Sequence, residues 1–180
     1  IHGIDIQKKE KLMNNNGIWV FDIEASGIHK QSYPIEVGLT NGKDNYSVLI
    51  KPEPTWTYWD KKAEDVHHIS LQELALKGEP ATIVAQELNS ILGEEDIYCD
   101  SQQWDLYWMD VLYGSTGIHR SYTIKYILDL FESDYQIEAY LQAGEQFKDS
   151  GDFRLHRALD DALVIHKALQ IGLSTASNTK

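Results

Sequence analysis

The chain has 180 residues, of which 42% are hydrophobic and 11% aromatic, a composition that is ordinary for one globular domain. No run of the sequence approaches the roughly 20 apolar residues of a membrane-spanning helix, so a membrane protein is not expected. With 28 acidic and 16 basic residues the formal charge is −12, which argues against a protein that grips long nucleic acid by neutralising its phosphates.

The ends of the chain and its lone cysteine set the expected boundaries. Cys99 has no second cysteine with which to form an internal disulfide, and a cytoplasmic location is therefore favoured. Residues 1–16 are expected to be a disordered leader or vector-derived sequence, because Met13 offers an alternative start. Residues 17–173 are predicted to form a single domain, followed by a flexible tail over 174–180.

The first predicted strand carries two carboxylates within GIWVFDIEASG, residues 17–27. Side chains alternate across a strand, so Asp22 and Glu24 share one face, while positions 19, 21 and 23 form a wholly apolar face. An apolar face of this kind predicts a central strand that packs on a helix.

Two further short strands follow, in YPIEVGLT and NYSVLIKP. They are separated by NGKD, in which Asn41-Gly42 is a strong hairpin signal. The sequence therefore predicts three consecutive strands in antiparallel order.

The rest of the chain is predicted to be mainly helical with one more strand. Ser70 and Glu73 form a capping box, and Pro80 suits the first turn of a helix that ends near Leu92, before Gly93. After a short strand in IYCD, helices are predicted near QWDLYWMDVLY, over 121–131, over 138–148 and over about 155–171, ended by the glycine at 172. Strands first and helices later predict an α/β sandwich with a mixed sheet.

Asp22 and Glu24 are candidate ligands of a divalent cation. Residues i and i+2 of a strand point to the same side, and oxygen ligands suit Mg²⁺ or Mn²⁺. The Ala-Ser-Gly turn after the strand lets backbone approach a ligand. The alternative is an exposed edge strand with both acids in water.

Two later segments add further acids and a histidine. Asp105 follows the strand IYCD, where a loop at the sheet end is a usual ligand site, although a helix cap is the alternative. Asp161 lies on the inward stripe of the last helix. His156 reaches the same site only if it belongs to the loop before that helix, and the competing interpretation pairs His156 with Asp160 at helical spacing. Together these residues suit two-metal phosphoryl chemistry with a histidine as general base.

Taken in order, these motifs resemble those of the DnaQ-like 3'-5' exonucleases, the DEDDh subgroup of the DEDD and ribonuclease-H-like superfamily. FDIEASG is similar to the Asp-x-Glu motif, SQQWD stands at the place of the second motif, and HRALDDA is close to His-x-Ala-x-x-Asp. The likeness extends from about Gly17 to Gly172. One departure is that Asp100 and Ser101 stand where the family commonly has an Asn or His before the second-motif Asp.

The resemblance implies a ribonuclease-H-like fold, a mixed five-stranded sheet flanked by helices, and two bound Mg²⁺ or Mn²⁺ ions. It implies that Asp22, Glu24 and Asp161 bind the first ion, that Asp22 is shared with the second, that Asp105 assists the second, and that His156 is the general base. The substrate-binding residues that it suggests are Ala25, Ser26, Gly27 and His67, and Trp104, an aromatic residue beside Asp105, is a further candidate that could stack on a base. The aromatic residues Trp56, Tyr58, Trp59 and Trp108 could also stack on bases, with core packing as the alternative.

The implied activity is removal of nucleotides from a single-stranded 3' end with release of 5'-monophosphates. RNA is slightly favoured over DNA, and a homodimer is expected by analogy. Three alternatives stay open: a proofreading subunit of a polymerase complex, a non-catalytic module that binds nucleic-acid ends, and a different metal phosphohydrolase on the same sheet.

Overall fold

A central sheet of five strands runs through the computed structural model, which describes residues 17–176. The strands are β1 Trp19–Ala25, β2 Pro34–Thr40, β3 Asn45–Leu49, β4 Asp96–Cys99 and β5 Thr123–Tyr126. They lie in the order β3-β2-β1-β4-β5. Because β1 pairs antiparallel with β2 and parallel with β4, the sheet is mixed and β1 is central.

Strands β2 and β3 form the predicted hairpin. The Oδ1 atom of Asn41 accepts hydrogen bonds from the backbone N–H groups of Lys43, at 3.0 Å, and Asp44, at 2.7 Å. Gly42 has a φ of 85°, in the left-handed region that favours glycine. Strands β1 to β3 are consecutive and antiparallel, which confirms that part of the prediction.

Six α-helices and one 3-10 turn, residues 127–130, accompany the sheet within residues 17–176. The helices are α1 Lys61–His67, α2 Leu71–Lys77, α3 Ala81–Leu92, α4 Gln102–Thr116, α5 Asp134–Asp149 and α6 Ala158–Ser174. Ser70 caps α2, since its hydroxyl accepts the N–H of Glu73, and α3 lies between Pro80 and Gly93 as predicted.

The two faces of the sheet pack against different helices. Phe21 and Ile23 of β1 belong to a core shared with α3 and α4. Val20 packs on the opposite face, with residues of α5 and α6. Because side chains alternate along a strand, Asp22 and Glu24 lie on the face toward α6. The predicted mixed five-stranded sheet flanked by helices is confirmed.

The segment 121–131, predicted to be a helix, forms β5 and the 3-10 turn instead. Thr123 and Ile124 pair in parallel with Asp96 and Ile97 of β4. A short run of apolar, aromatic and β-branched residues has no periodicity that separates helix from strand. Pairing with β4 decides in favour of the strand.

Helix α6 differs from its prediction at both ends. It begins at Ala158 rather than near Leu155, and it continues past Gly172 to Ser174. A Cβ atom at Gly172 would lie 2.6 Å from the ring of Phe131. This glycine therefore serves close packing inside the helix rather than the helix end.

The expectations for the chain ends fall mostly outside the described residues. The leader expected over 1–16 lies there, as do residues 177–180 of the expected tail. Among residues 17–176, no helix is both long enough and apolar enough to cross a membrane.

Candidate active site

Asp22 and Glu24 lie on the central strand and not on an exposed edge. In the register of β1 and β2, Asp22 is opposite Gly38 and Glu24 is opposite Glu36. Both site carboxylates are half-buried. The alternative of two solvated acids on an edge strand is therefore wrong, because β1 is flanked by β2 and β4.

The N-terminus of α6 lies directly on β2 because Gly38 has no side chain. A Cβ atom at Gly38 would lie 2.1 Å from the backbone nitrogen of Leu159 and 2.2 Å from the carbonyl carbon of Ala158. Gly38 is also the strand partner of Asp22. The close approach therefore brings the first turn of α6, which carries Asp161, over the carboxylates of β1.

A buried ion pair anchors the same end of α6. Glu36 is 1% exposed, and its carboxylate accepts hydrogen bonds from Nη2 of Arg157, at 2.5 Å, and from Nε, at 3.0 Å. The backbone N–H of Ala158 donates to the same carboxylate at 3.1 Å, which satisfies a donor of the first helical turn. Because Arg157 adjoins His156, the pair holds both the helix end and the loop that carries the histidine.

His156 lies in the loop before α6, which is the condition for it to reach the same site as Asp161. It has a φ of 60°, and its backbone N–H donates to Oδ2 of Asp161 over 2.9 Å. The competing helical pairing with Asp160 is wrong, because His156 is not part of the helix.

Six side chains with oxygen or nitrogen ligand atoms form two groups of three. In each group the ligand atoms lie within 4.8 Å of one another, and the groups are Glu24, His156 and Asp161, and Asp22, Asp100 and Asp105. One cavity of about 290 Å³ is lined by members of both groups, Asp22 and Asp100 from one, His156 and Asp161 from the other. The two groups therefore belong to one site.

Asp105 is the most deeply buried acid of the site, at 1% exposed. It lies in the first turn of α4, whose N-cap residue is Ser101, so Asp105 is not the cap. Within the described part of the chain, its Oδ2 atom has no hydrogen-bond partner. Burying a carboxylate oxygen without a partner is costly, and a cation would offset that cost.

Burial and mutual repulsion raise the pKa values of the site acids. Burial, with repulsion from Asp161, raises the pKa of Glu24 from 4.5 to about 8. Burial raises the pKa of Asp105 from 3.8 to about 8. The pKa of Asp22 is raised well above its ordinary value by burial first and then by repulsion from Asp105 and Glu24. The pKa of Asp161 is raised by burial as well.

This set of donors fits divalent cations that prefer oxygen ligands. Carboxylates are the ligands of Mg²⁺ and Mn²⁺, and bound cations would offset the repulsion that raises the pKa values of Asp22 and Glu24. A cation would also give Oδ2 of Asp105 the partner that it lacks among the described residues. The residues present therefore fit the two-ion prediction.

A second cavity, of about 410 Å³, opens beside Glu24 and is lined by Ala25, Gly27 and His67. Nδ1 of His67 accepts the backbone N–H of Ile69 at 3.0 Å, so the neutral ring carries its proton on Nε2. Burial lowers the pKa of His67, which favours that neutral form. Nε2 is buried with no partner in the described part of the chain, which leaves a donor for a ligand.

Two predicted substrate residues, Ser26 and Trp104, are engaged within the protein. Ser26 is fully buried; its N–H donates to the carbonyl of Tyr33 at 2.9 Å, and its carbonyl accepts the N–H of Asp60 at 2.8 Å. Trp104 stacks on Trp108 with ring centroids 5.5 Å apart, and Trp108 lines the larger cavity. The two residues thus support the turn and the cavity wall.

The aromatic residues of the loop before α1 have ring partners of their own. Trp56 stacks on Tyr33 at 5.2 Å, and Trp59 lies 6.5 Å from the same tyrosine ring. Tyr58 stacks on His29 at 4.5 Å. The rings of this loop therefore contribute to packing within the protein.

Asp100, Lys148 and Ile28 are among the cavity-lining residues to which the sequence predictions gave no role. Asp100 and Lys148 line the smaller cavity, and Ile28, which is 72% exposed, lines the larger one. The sequence could have indicated Asp100, because it directly follows a predicted strand, and ligands commonly bind at the ends of the strands of a sheet. Lys148 and Ile28 had no such signal in the sequence.

Comparison with solved structures gives neighbours that share this fold. The zinc-bound complex of E. coli exonuclease I with single-stranded DNA matches with a TM-score of 0.66 at 14% sequence identity, over 86% of this chain and 39% of that chain. The same exonuclease in complex with a dA16 oligonucleotide matches with a TM-score of 0.66 at 13% identity, over 86% of this chain and 40% of that chain. The fold is ribonuclease-H-like. That prediction is confirmed.

The chain spans about 40% of the length of these exonuclease I chains. No family model matches the chain, and no curated protein matches its sequence. At 13–14% identity, the likeness to exonuclease I establishes the shared fold alone.

Proposed function

We propose that this chain is a metal-dependent 3'-5' exonuclease of the DnaQ-like DEDDh type, which hydrolyses single-stranded nucleic acid and releases nucleoside 5'-monophosphates. The observation that carries the proposal is the pair of three-residue ligand groups in one cavity. The structural neighbours support it, since they are exonuclease I bound to single-stranded DNA. The sequence-based expectation slightly favours RNA, whereas these neighbours hold DNA. The proposal therefore includes both RNA and DNA as substrates.

The proposed roles divide the site between metal binding and proton transfer. Asp22, Glu24 and Asp161 would hold one Mg²⁺ or Mn²⁺ ion, and Asp22 and Asp105 would hold the second. Ions bound there would supply charge stabilisation for the phosphoryl displacement. His156 accepts the proton of the attacking water, and its backbone bond to Asp161 keeps it beside the metal ligands.

The larger cavity is the proposed position of the 3'-terminal nucleotide. The backbone of Ala25 and Gly27 would lie along the nucleotide, and the Nε2–H group of His67 would donate to one of its oxygens. Trp108 walls the cavity, and Trp104 acts by holding the ring of Trp108 in place.

The complete set of acids and a histidine argues against a non-catalytic module that binds nucleic-acid ends. A proofreading subunit would use the same chemistry together with a polymerase, and co-purification with a polymerase would identify it.

We also propose that residues 17–173 form a single catalytic domain, that the protein is a homodimer and that it is located in the cytoplasm. Light scattering after size-exclusion chromatography tests the dimer.

Digestion of 5'-labelled single-stranded DNA and RNA of equal sequence, with Mg²⁺ or Mn²⁺, tests the proposal. We expect a ladder that shortens from the 3' end and a loss of at least about 100-fold in rate for Asp22→Asn, because that variant removes a ligand of both ions. Asp65→Asn, which removes a carboxylate that is 67% exposed on α1, is the matched control and should retain activity. An intact label with both metals, or equal rates for wild type and Asp22→Asn, would overturn the proposal.

A further inference from the structure

We infer that Asp100 is a third carboxylate ligand of the cation assigned to Asp22 and Asp105, an inference that rests on the proposed function. The family that the motifs resemble commonly has an Asn or His near this place, whereas this chain has an acid. The protein would then hold this cation through three of its own carboxylates before any nucleic acid binds.

The parallel pairing of β1 and β4 places Asp100 beside Asp22. Val20 is opposite Tyr98 in the parallel ladder, and both side chains belong to the core shared with α5 and α6. Asp22 follows Val20 by two positions, and Asp100 follows Tyr98 by two positions. Asp100 is the first residue after β4, and its ligand atom lies within 4.8 Å of that of Asp22, so the two acids lie close together where β1 and β4 run side by side.

Asp105 completes the group from the first turn of α4. The ligand atoms of the three acids lie within 4.8 Å of one another. Asp105 is 1% exposed, and its Oδ2 has no hydrogen-bond partner in the part of the chain that the structure describes. A carboxylate buried in this way needs an opposite charge, and exposed Asp100 lines the cavity through which a cation can enter.

The charge of this group indicates a strong cation site. Three carboxylates around one divalent ion leave a net negative charge, and Lys148 lines the same cavity as Asp100 and Asp22 and offsets it. The affinity of oxygen-ligand sites depends on the number of charged ligands. Binding of this ion should therefore not require a substrate phosphate.

The inference is tested by titrating the nucleic-acid-free protein with Mn²⁺. Binding is measured by calorimetry and by the electron paramagnetic resonance signal of free Mn²⁺. Wild type should bind two ions, and Asp100→Asn should weaken one of them by about 10-fold or more. Asp105→Asn should weaken the same ion, and Asp161→Asn the other. Asp65→Asn is the control for the loss of one surface charge and should leave both affinities unchanged.

Repeating the titrations in 0.1 M and 1 M KCl distinguishes two causes of weaker Mn²⁺ binding, the loss of a direct ligand and the loss of long-range electrostatic attraction. Screening shortens the Debye length from about 10 to about 3 Å, so a long-range effect disappears at high salt, whereas a lost ligand does not. A weakening by Asp100→Asn that persists in 1 M KCl supports the inference. A weakening that vanishes there, or a titration equal to that of Asp65→Asn, overturns it.

The same experiment distinguishes failure of the inference from failure of the proposed function. Wild-type protein that binds two Mn²⁺ ions and digests single strands, with Asp100→Asn unchanged, would overturn only the role of Asp100. Wild-type protein that neither binds Mn²⁺ nor digests nucleic acid would overturn both. Thermal unfolding in EDTA verifies that Asp100→Asn, a change at an exposed position, is folded.

Discussion

His67 serves both the fold and the proposed substrate site through its two ring nitrogens. Nδ1 accepts the N–H of Ile69 and so ties the end of α1 to the residues that follow. Nε2 is buried and lacks a partner among residues 17–176. A buried donor left unpaired costs about 1–3 kcal/mol, and a substrate oxygen that accepts its hydrogen would remove that cost.

We expect His67→Asn to raise the KM for a single-stranded oligonucleotide about 10-fold, which corresponds to about 1.4 kcal/mol. The amide oxygen of Asn can replace the Nδ1 acceptor, whereas no group of Asn reaches the position of Nε2. The unfolding temperature should therefore change little. His67→Gln is the converse control, since its amide nitrogen can replace the Nε2 donor. Equal KM values for wild type and His67→Asn in steady-state kinetics would contradict the donor role.

At the scale of elements, the site depends on how closely α6 approaches β2. Gly38 allows the backbone of Ala158 and Leu159 to lie on the strand. The ion pair between Glu36 and Arg157 holds the same helix end from the side of the sheet. Neither contact touches the proposed reaction, yet both determine where the first turn of α6 places its carboxylate.

We expect Gly38→Ala to lower the free energy of unfolding by about 1–3 kcal/mol and to reduce kcat, because the added methyl group must displace the first turn of α6. Gly114→Ala is the matched control on α4. A Cβ atom there has no neighbour within 4 Å, so it should be neutral or stabilising by up to about 1 kcal/mol. Urea unfolding and nuclease rates provide the measurements. A Gly38→Ala protein as stable and active as wild type would show that α6 tolerates a larger separation.

At the scale of the whole molecule, an acidic chain with several acids in one site should depend on cations for stability. The pKa of Glu24 is raised from 4.5 to about 8, and that of Asp105 from 3.8 to about 8. Because the pKa values are raised in the folded state, these groups favour folding when protonated. That contribution is complete below their ordinary pKa values and is lost as the pH rises through about 8.

We therefore expect the unfolding temperature in EDTA to fall between pH 7 and pH 8.5. Burial lowers the pKa values of His67 and His166, so both are largely neutral in this range and do not oppose the trend. At pH 8.5, Mn²⁺ at 100 times its dissociation constant should add about 2.7 kcal/mol, or about 5 °C or more.

Scanning calorimetry at pH 7 and pH 8.5, with EDTA or Mn²⁺, measures both effects. Asp22→Asn should make the fall of the unfolding temperature with pH in EDTA smaller, since it removes one repelling charge. It should also make the rise of the unfolding temperature with Mn²⁺ smaller, since it removes one metal ligand. An unfolding temperature in EDTA that rises over this pH range would contradict the pKa argument.

Much of the site could be predicted because its signals are local in sequence. The alternation that puts Asp22 and Glu24 on one face requires only a few consecutive residues. The hairpin signal at Asn41-Gly42 follows from the conformational freedom of glycine, which has a positive φ in the loop 41–44. The inward position of Asp161 follows from helical periodicity over the residues that come after it.

The remaining features were decided by contacts between residues that are distant in the chain. Part of segment 121–131, which was predicted to be a helix, forms β5 because β4 offers a pairing partner, and its own pattern does not distinguish helix from strand. The position of α6 depends on the close contact between Gly38 and the backbone of Ala158. The position of Asp100 depends on the pairing of β4 with β1. Local propensities determine strands, turns and helix faces. Strand pairing and helix–sheet packing depend instead on the free energy of contacts between distant segments, which cannot be read from any one segment alone.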